Sequence, residues 1–393
     1  MDKKELGIYI HIPYCKQKCY YCDFISYTNT NLVEQYIGAI TKELKKYNLN
    51  NYNITTIYIG GGTPSSIKVE YIVKILDYIK KKLLETNNQT KFEDIEITIE
   101  VNPGTTDRKK LENYINCGIN RLSIGLQTTN DILLKQIGRI HTYEEFIETY
   151  KLAKDVGFKN INIDLMLGLP NQTIDDLKRS LKDVINLNPN HISVYSLIIE
   201  EGTKINDMLE NGILELPSEE TERQMYWYVK DMLELNGYNH YEISNFAKKG
   251  KESKHNVNCW KQKEYIGIGV SAHSYLKNIR YSNCMKVEEY IENMNNLKDV
   301  YKELENNESN IYEIEEKQDL ESKRKEYMLL GLRMIEGVYI SEFKEKYVDN
   351  PIFLYRKELE KLVGENLIVI DGDNIRLTSK GLDFANLVWE EFV

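Results

Sequence analysis

The chain has 393 residues, of which 41% are hydrophobic, and a formal net charge of −10 at pH 7. This length and composition indicate a globular protein with one large and one smaller domain, and disfavour a disordered or fibrous chain. Its apolar runs are far shorter than the roughly 20 residues of a membrane-spanning helix, and residues Met1–Leu6 are too charged for a secretory signal, so we expect a cytoplasmic protein. The acidic surplus disfavours nucleic acid as a partner.

Short apolar, β-branched segments alternate with longer segments of helical periodicity in the part of the chain before Asn245. The predicted strands are Gly7–Pro13, Thr55–Gly62, Glu96–Pro103, Arg121–Gln127, Asn160–Gly168 and His191–Ile199. The predicted helices include Leu32–Tyr47, Lys68–Leu84, Tyr143–Gly157 and Thr173–Asn188. This alternation predicts an α/β fold with parallel strands, either a doubly wound sheet or a partial barrel. In both, functional groups gather at the carboxyl ends of the strands.

The pattern changes after Asn245. Segment Glu288–Lys323 is strongly polar and is interpreted as an exposed helix and linker. The tail contains the predicted helices Lys325–Ile335, Ile340–Tyr347 and Phe353–Glu365, and a predicted hairpin with strands Leu367–Asp371 and Ile375–Thr378. Helices followed by a hairpin predict a small α+β winged-helix-like domain. The predicted division is therefore a domain at residues 1–245, a connecting segment at 246–323 and a C-terminal domain at 324–393.

Three of the six cysteines, Cys15, Cys19 and Cys22, lie close together directly after the first predicted strand. In a chain without a secretory signal, such a cluster is better explained by a metal site than by disulfides. Three thiolates from one loop can hold a [4Fe–4S] cluster and leave one iron without a protein ligand. A structural zinc site is the alternative. Structural zinc takes four protein ligands, so such a site would need one more ligand than the three cysteines of the loop. The fourth zinc ligand could come from Cys117, Cys259, Cys284 or His11.

Other predicted strands also end in residues suited to ligand binding. The second ends in Gly60–Pro64, where consecutive glycines permit either a close approach to a ligand or a tight turn. The third carries Glu100 and the fifth carries Asp164. A charge within an apolar strand is costly unless it is paired or used. Asp164 is therefore either a binding group or the partner of Arg139 or Arg121 in a salt bridge.

Taken together, the motif Cys15-x3-Cys19-x2-Cys22, the segment Gly60–Pro64 and the polar strand ends resemble the radical S-adenosylmethionine family. In that family a [4Fe–4S] cluster binds S-adenosylmethionine and supplies the electron that cleaves it, while the protein positions the cosubstrate. The resemblance implies that the three cysteines are the cluster ligands. The positions that it implies for cosubstrate binding are Tyr9, Tyr21, Gly61, Gly62, Thr63, Glu100, Gln127, Arg139 and Asp164.

Nearly the whole chain resembles the oxygen-independent coproporphyrinogen oxidase-like branch of this family. That branch includes dehydrogenases that decarboxylate coproporphyrinogen III, and haem chaperones that bind haem and deliver it to haem proteins. The dehydrogenases carry a further cysteine where this chain has Phe24, and a longer segment ahead of Cys15. The segment His255–Trp260 resembles a signature linked with haem binding in the chaperones. These features favour a haem chaperone without coproporphyrinogen dehydrogenase activity, with the dehydrogenase as the alternative.

His255 is the candidate haem-binding residue. Cys259 replaces a tyrosine of that signature, as a neutral replacement, a thiolate haem ligand or a spare thiol. His11 and His141 are interpreted as structural groups, and so is His273, for which haem contact is the alternative. The tail and the His255 segment are expected to cover the strand-end face.

The resemblance also implies the cofactors and partners of the chain. The implied cofactors are a [4Fe–4S] cluster, S-adenosylmethionine and haem. The implied partners are haem itself, recipient haem proteins and an electron donor. Further candidate partners are the membrane surface where recipients reside and a second copy of the chain.

Overall fold

The computed structural model describes residues 3–86, 89–305, 309 and 311–393. The strands are β1 (Lys4–Ile12), β2 (Tyr52–Gly61), β3 (Glu96–Val101), β4 (Arg121–Gln127), β5 (Ile161–Leu167), β6 (His191–Ser196), β7 (Asn239–Glu242), β8 (Asn245–Ala247), β9 (Tyr265–Ile268), β10 (His273–Leu276), β11 (Ile279–Asn283), β12 (Tyr312–Lys317), β13 (Val338–Tyr339), β14 (Ile368–Asp371) and β15 (Asn374–Leu377). The α-helices are α1 (Val33–Lys46), α2 (Val69–Glu85), α3 (Arg108–Asn116), α4 (Asp131–Gln136), α5 (Tyr143–Asp155), α6 (Ile174–Leu187), α7 (Lys204–Glu210), α8 (Glu219–Leu235), α9 (Lys254–Trp260), α10 (Val287–Asn296), α11 (Val300–Glu305), α12 (Leu320–Gly331), α13 (Ile340–Tyr347), α14 (Pro351–Leu354), α15 (Arg356–Gly364), α16 (Ser379–Asp383) and α17 (Ala385–Glu390).

Twelve strands form one sheet in the order β12-β11-β10-β9-β1-β2-β3-β4-β5-β6-β8-β7. Strands β1 to β6 are parallel neighbours in chain order, and helices connect each strand to the next. Strand β9 is parallel to β1, and β8 is antiparallel to β6. A doubly wound sheet would reverse its strand order at a switch point. The unreversed order with open ends confirms the partial (β/α)6 barrel.

Local sequence explains why these elements form where they do. Every residue of β4 is buried, as expected for a parallel strand covered on both faces. Helices α5 and α6 begin with capping boxes, Thr142 with Glu145 and Thr173 with Asp176, which satisfy free backbone N–H groups in the first turn. No helix in the described part of the chain is long and apolar enough to cross a membrane.

The helical part of the interpretation of Glu288–Lys323 is confirmed by α10 and α11, but the expectation of an exposed linker is wrong. Helices α10 and α11 bury one side against the main core, and β12 extends the sheet beside β11. Tyr290 and Tyr312 donate to the carboxylate of Glu43 on α1, at 2.5 and 3.2 Å. This buried carboxylate could not be inferred from the polar sequence. Residues 306–308 and 310 lie outside the described residues.

Burial raises the pKa of Glu43 to about 7, although four hydrogen bonds oppose that shift. We expect Tyr290→Phe to lower the free energy of unfolding by about 1–3 kcal/mol at neutral pH, because it removes a donor from a buried, partly ionised carboxylate. Chemical denaturation monitored by circular dichroism measures this change. The control is Tyr301→Phe, whose hydroxyl donates to the exposed carbonyl of Asn48. Equal losses in both variants would contradict this assignment.

The C-terminal part has its own core and a three-stranded sheet in the order β13-β15-β14. Helix α13 and the β14–β15 hairpin match the predicted winged-helix-like tail. The tail packs against α9 and β7, where the Ile335 N–H donates to the Tyr241 carbonyl at 3.1 Å. Helix α9 lies at the amino ends of β2 and β3, since the His255 N–H donates to Glu96, the first residue of β3. The expectation that both segments cover the strand-end face is therefore wrong. The division at residues 245 and 323 stays a prediction.

Candidate functional site

A cavity of about 590 Å³ lies at the carboxyl ends of the parallel strands. The strand ends bring together residues that are far apart in the sequence. The predicted cluster and cosubstrate residues that line it are Cys15, Cys19, Tyr21, Cys22, Gly61, Gly62, Thr63, Glu100, Gln127, Arg139 and Asp164. The position of the cavity agrees with the strand-end rule, and the residues that the family resemblance implied line its wall.

The cysteine loop follows β1 and is fixed by backbone hydrogen bonds to its neighbours. The Cys15 N–H donates to the Tyr27 carbonyl at 3.0 Å, and the Thr63 N–H donates to the Tyr14 carbonyl at 2.8 Å. The three thiols on the loop are free. Burial raises the pKa of Cys15 and raises that of Cys22 to about 11, so binding of a metal there would release protons. No three His, Cys, Asp or Glu side chains converge on a single-ion site within the described ranges.

The glycine segment after β2 packs directly beneath this loop. A Cβ atom on Gly62 would lie 2.9 Å from the Cys15 Sγ and 3.0 Å from the Tyr14 backbone nitrogen. Gly61 has φ +115°, and its N–H donates to Glu100 Oε2 at 3.1 Å. A larger side chain at Gly62 would push the cysteine loop away, and one at Gly61 would meet the His11 ring. The glycines therefore serve both the tight turn and the close approach of the two strand ends.

Two half-buried carboxylates, Glu100 and Asp164, face the cavity from β3 and β5. Glu100 accepts hydrogen bonds from the Tyr58 hydroxyl at 2.9 Å and from Gly61, and burial raises its pKa to about 7. Asp164 accepts from Ser123 Oγ at 3.1 Å and from Asn162 Nδ2 at 2.7 Å, and burial raises its pKa. No Arg or Lys nitrogen of the described residues lies within the 4.0 Å ion-pair distance of Asp164. The salt-bridge alternative for Asp164 is therefore wrong.

Arg139 points its guanidinium between the cysteine loop and the end of β4. Its Nη2 donates to the Gly125 carbonyl at 2.6 Å and its Nη1 to the Cys19 Sγ at 3.6 Å. Its Nε is buried and finds no hydrogen-bond partner among the described residues. A buried donor without a partner is costly, and an anionic ligand in the cavity would satisfy it. Gln127 lies beside it with φ +73°, where β4 bends at an irregularity.

Sequence reasoning missed several residues that shape the cavity. Ser123 orients Asp164, and the Asn102 Nδ2 donates to Thr63 Oγ1 at 2.9 Å. Gly125 leaves room for the Arg139 guanidinium, because a Cβ there would lie 2.5 Å from Arg139 Nη2 and displace it. These residues stand in the same strand-end segments as Glu100 and Gln127, so the strand-end rule would have found them too. Apolar residues at the cavity wall, without such a signal, are Phe24, Leu197 and Ile198.

The structure does not bring Tyr9 or His255 into the wall of this cavity. The Tyr9 hydroxyl is 3.0 Å from His11 Nδ1, and its ring stacks on Tyr58 with centroids 6.2 Å apart. His255 lies on α9, with its Nδ1 2.9 Å from Thr56 Oγ1. Burial lowers the pKa of His255 to about 4, so the imidazole is neutral. The candidate haem residue therefore lies at the opposite end of the barrel from the cysteine loop.

The remaining histidines named from the sequence contact groups of the protein itself. His11 Nε2 lies 3.4 Å from the Ile25 carbonyl, and His141 Nε2 lies 3.3 Å from the Leu126 carbonyl. His273 is largely exposed and its Nδ1 lies 2.7 Å from Glu315. These contacts agree with structural roles.

Comparison with known proteins identifies the family. Residues 9–184 match the Radical SAM superfamily, and residues 318–384 match the HemN C-terminal domain. The chain is 36% identical to the heme chaperone HemW of Lactococcus lactis, over 100% of this chain and 98% of that protein. The chain belongs to the HemW family. The HemW of Bacillus subtilis is likewise 36% identical, over 98% of this chain and 98% of that protein.

A solved structure shares this fold. Coproporphyrinogen III oxidase (HemN) from Escherichia coli superposes with a TM-score of 0.81 at 22% identity, and the match covers 100% of this chain and 91% of that one. This likeness concerns the fold. Membership of the HemW family within the radical S-adenosylmethionine superfamily implies a [4Fe–4S] cluster and S-adenosylmethionine. Three free thiols, glycines beneath them and an unpartnered Arg139 Nε fit such a pair of groups.

Proposed function

We propose that the protein is a haem chaperone, which binds haem together with a [4Fe–4S] cluster and S-adenosylmethionine and transfers haem to recipient haem proteins. The observation that carries this proposal is the full-length similarity to relatives named heme chaperone HemW. The strand-end cavity supports it, because it gathers three free thiols with polar groups suited to the cosubstrate.

In this proposal Cys15, Cys19 and Cys22 hold the cluster, which when bound supplies the electron for cleavage of S-adenosylmethionine. Arg139 suits the methionine carboxylate, because its planar guanidinium can donate to both oxygens. Asp164 suits ribose hydroxyls, since a carboxylate accepts their hydrogen bonds. The remaining proposed cosubstrate contacts are Tyr9, Tyr21, Gly61, Gly62, Thr63, Glu100 and Gln127.

The haem contact is proposed at His255, on α9. Because the His255 ring is buried against Thr56 and Tyr58, haem would reach it only if α9 moved. Burial raises the pKa of Cys259 on the same helix to about 12. A thiol with so high a pKa stays protonated at neutral pH, which supports a neutral replacement of tyrosine over a thiolate haem ligand.

The rest of the proposal concerns setting and partners. An electron donor must reduce the cluster, and recipient haem proteins must accept the haem. A cytoplasmic location, contact with the membrane surface of recipients, a homodimer, and the domain boundaries at residues 245 and 323 belong to this proposal.

The alternative function is that of a coproporphyrinogen III dehydrogenase, which the shared fold with HemN permits. We expect the anaerobically reconstituted protein, with S-adenosylmethionine and a reductant, to bind haem and to form no protoporphyrinogen from coproporphyrinogen III. Absorption spectroscopy measures haem binding, and chromatography of the oxidised porphyrins measures turnover. A positive control with a known dehydrogenase shows that the assay works. Formation of protoporphyrinogen would contradict the proposal and restore the dehydrogenase.

A further inference from the structure

A chain of hydrogen bonds crosses the barrel interior from the strand-end cavity to α9. Asn162 Nδ2 donates to Asp164 Oδ1 at 2.7 Å, and Asn162 Oδ1 lies 2.6 Å from His191 Nδ1. His191 Nε2 lies 2.8 Å from the Tyr241 hydroxyl, to which the Ser253 N–H donates at 3.3 Å. The other four members of this hydrogen-bond chain, Asn162, His191, Tyr241 and Ser253, are all buried, and His191 and Ser253 have no exposed surface. Its interior members, Asn162 and His191, are therefore shielded from solvent, and its two ends meet different faces of the barrel.

The direction of every bond in this chain follows from its chemistry. An ionised Asp164 only accepts, so the Asn162 amide nitrogen faces it and the amide oxygen faces His191. The His191 Nδ1 must then carry the proton. Burial lowers the pKa of His191, which keeps the ring neutral, so its Nε2 accepts from the Tyr241 hydroxyl. All donors thus point towards Asp164, and bonds aligned in this way strengthen one another.

The far end of the chain lies where α9 begins. Ser253 is the N-cap of α9, and its side chain accepts from the Asn256 N–H. A second connection reaches the same helix, since Tyr58 donates to Glu100 in the cavity and its ring lies 5.3 Å from that of His255. Two separate sets of contacts therefore connect cavity carboxylates with α9.

Helix α9 also forms one wall of a second cavity, of about 870 Å³, on the opposite side of the barrel from the cysteine loop. Its wall includes Lys254 and Val257 of α9, Met334 of the tail, and Tyr241. Tyr241 therefore takes part in the hydrogen-bond chain and also lines this cavity. A change in the position of the Tyr241 hydroxyl would therefore alter both the hydrogen-bond chain and the shape of the second cavity.

We propose that His191 and Tyr241 couple the strand-end cavity to α9, so that a nucleoside bound at Asp164 changes the stability of α9 and the shape of the second cavity. The inference rests on the proposed binding of S-adenosylmethionine at Asp164. A ribose hydroxyl that donates to Asp164 shares the charge that aligns the chain, and this weakens the bonds as far as Ser253. Coupling of this kind is reciprocal, so a ligand that moves α9 changes the nucleoside affinity by the same factor.

Hydrogen exchange of the full-length, reconstituted protein tests this coupling, with S-adenosylmethionine as the probe. We expect saturating probe to change the exchange rate of amides in α9 by about fivefold or more, the usual lower range for coupled sites. Tyr241→Phe removes the hydroxyl that both accepts from Ser253 and donates to His191. In that variant the response of α9 is expected to become smaller, because only the contact of Tyr58 with His255 remains, while the probe affinity changes by no more than the same factor.

The matched control is Tyr238→Phe. Tyr238 is also buried, but its hydroxyl donates to the Pro189 carbonyl at 2.9 Å, outside the chain. This variant should keep the full response of α9. Binding of the probe without a response in the wild type, or an equal response in Tyr241→Phe, overturns the inference alone. Failure of the wild type to bind the probe overturns the proposed function, and the inference with it.

A second measurement needs no substitution in the chain. Nitrogen-15 spectra of the histidine rings report which nitrogen of His191 carries the proton. We expect the Nδ1–H form, with a chemical shift that moves when S-adenosylmethionine is added. The opposite tautomer would overturn the inference, and so would a resonance that ignores the bound probe.

Discussion

Cys15→Ala should lose its [4Fe–4S] cluster almost completely after anaerobic reconstitution. Loss of outer-shell partners alone lowers metal affinity by about 10–100-fold, and loss of a direct ligand has a larger effect. Cys15 lines the cavity beside Gly62 and Thr63, and an alanine at this position offers no thiolate to an iron. Iron and sulfide analysis, together with the electron paramagnetic resonance signal of the reduced cluster, measures the loss.

The control is Cys117→Ser, at a half-buried free thiol whose Sγ donates to the Tyr114 carbonyl at 3.2 Å on α3. This variant should keep the iron content of the wild type. Stoichiometric zinc without iron in the reconstituted wild type would contradict the cluster and favour the structural zinc site. Full iron content in Cys15→Ala would also contradict the assignment of its ligands.

The sequence predicted the barrel well because its signals are local. An apolar run such as Arg121–Gln127 marks a buried parallel strand, and Thr142 with Glu145 marks a helix start. The cavity could also be predicted, since parallel strands place their carboxyl ends on one face whatever the detailed packing. The family resemblance named the residues, and correct placement of each strand is enough to bring the cysteine loop, Glu100 and Asp164 to that cavity.

The failures of sequence reasoning concern contacts between distant elements. The donors to Glu43 come from residues 226 to 269 positions away, and nothing near Tyr290 signals that its polar helix packs on a core. The expected position of the His255 segment was wrong for the same reason. Hydrogen bonds from His255 to Thr56 and Glu96, which are distant in the sequence, set the position of α9. A motif can indicate which residues share a segment, but the sheet register decides which end of the barrel that segment meets.

Asp164→Asn should weaken S-adenosylmethionine binding by about 10–100-fold, because hydrogen bonds to charged groups contribute about 1.5–3 kcal/mol each. The substitution keeps the shape of the side chain. It turns one acceptor oxygen into an NH2 group, which then faces donors on Ser123 or Asn162, or the hydroxyls of the ligand. Equilibrium binding to the reconstituted protein measures the affinity, and the cluster content should not change.

The control for this prediction is Asp175→Asn, at an exposed carboxylate on α6 that pairs with Lys178. The affinity of the Asp175→Asn variant for S-adenosylmethionine should equal that of the wild type.

The pH dependence of S-adenosylmethionine binding gives an independent check on Asp164. Burial raises the pKa of this carboxyl, so protonation at lower pH removes the charge and weakens binding in the wild type, with affinity restored as the pH rises through that pKa. Asp164→Asn removes this titration. A wild-type affinity that stays constant as pH falls, or a variant that binds as tightly as the wild type, would show that the ribose does not meet Asp164.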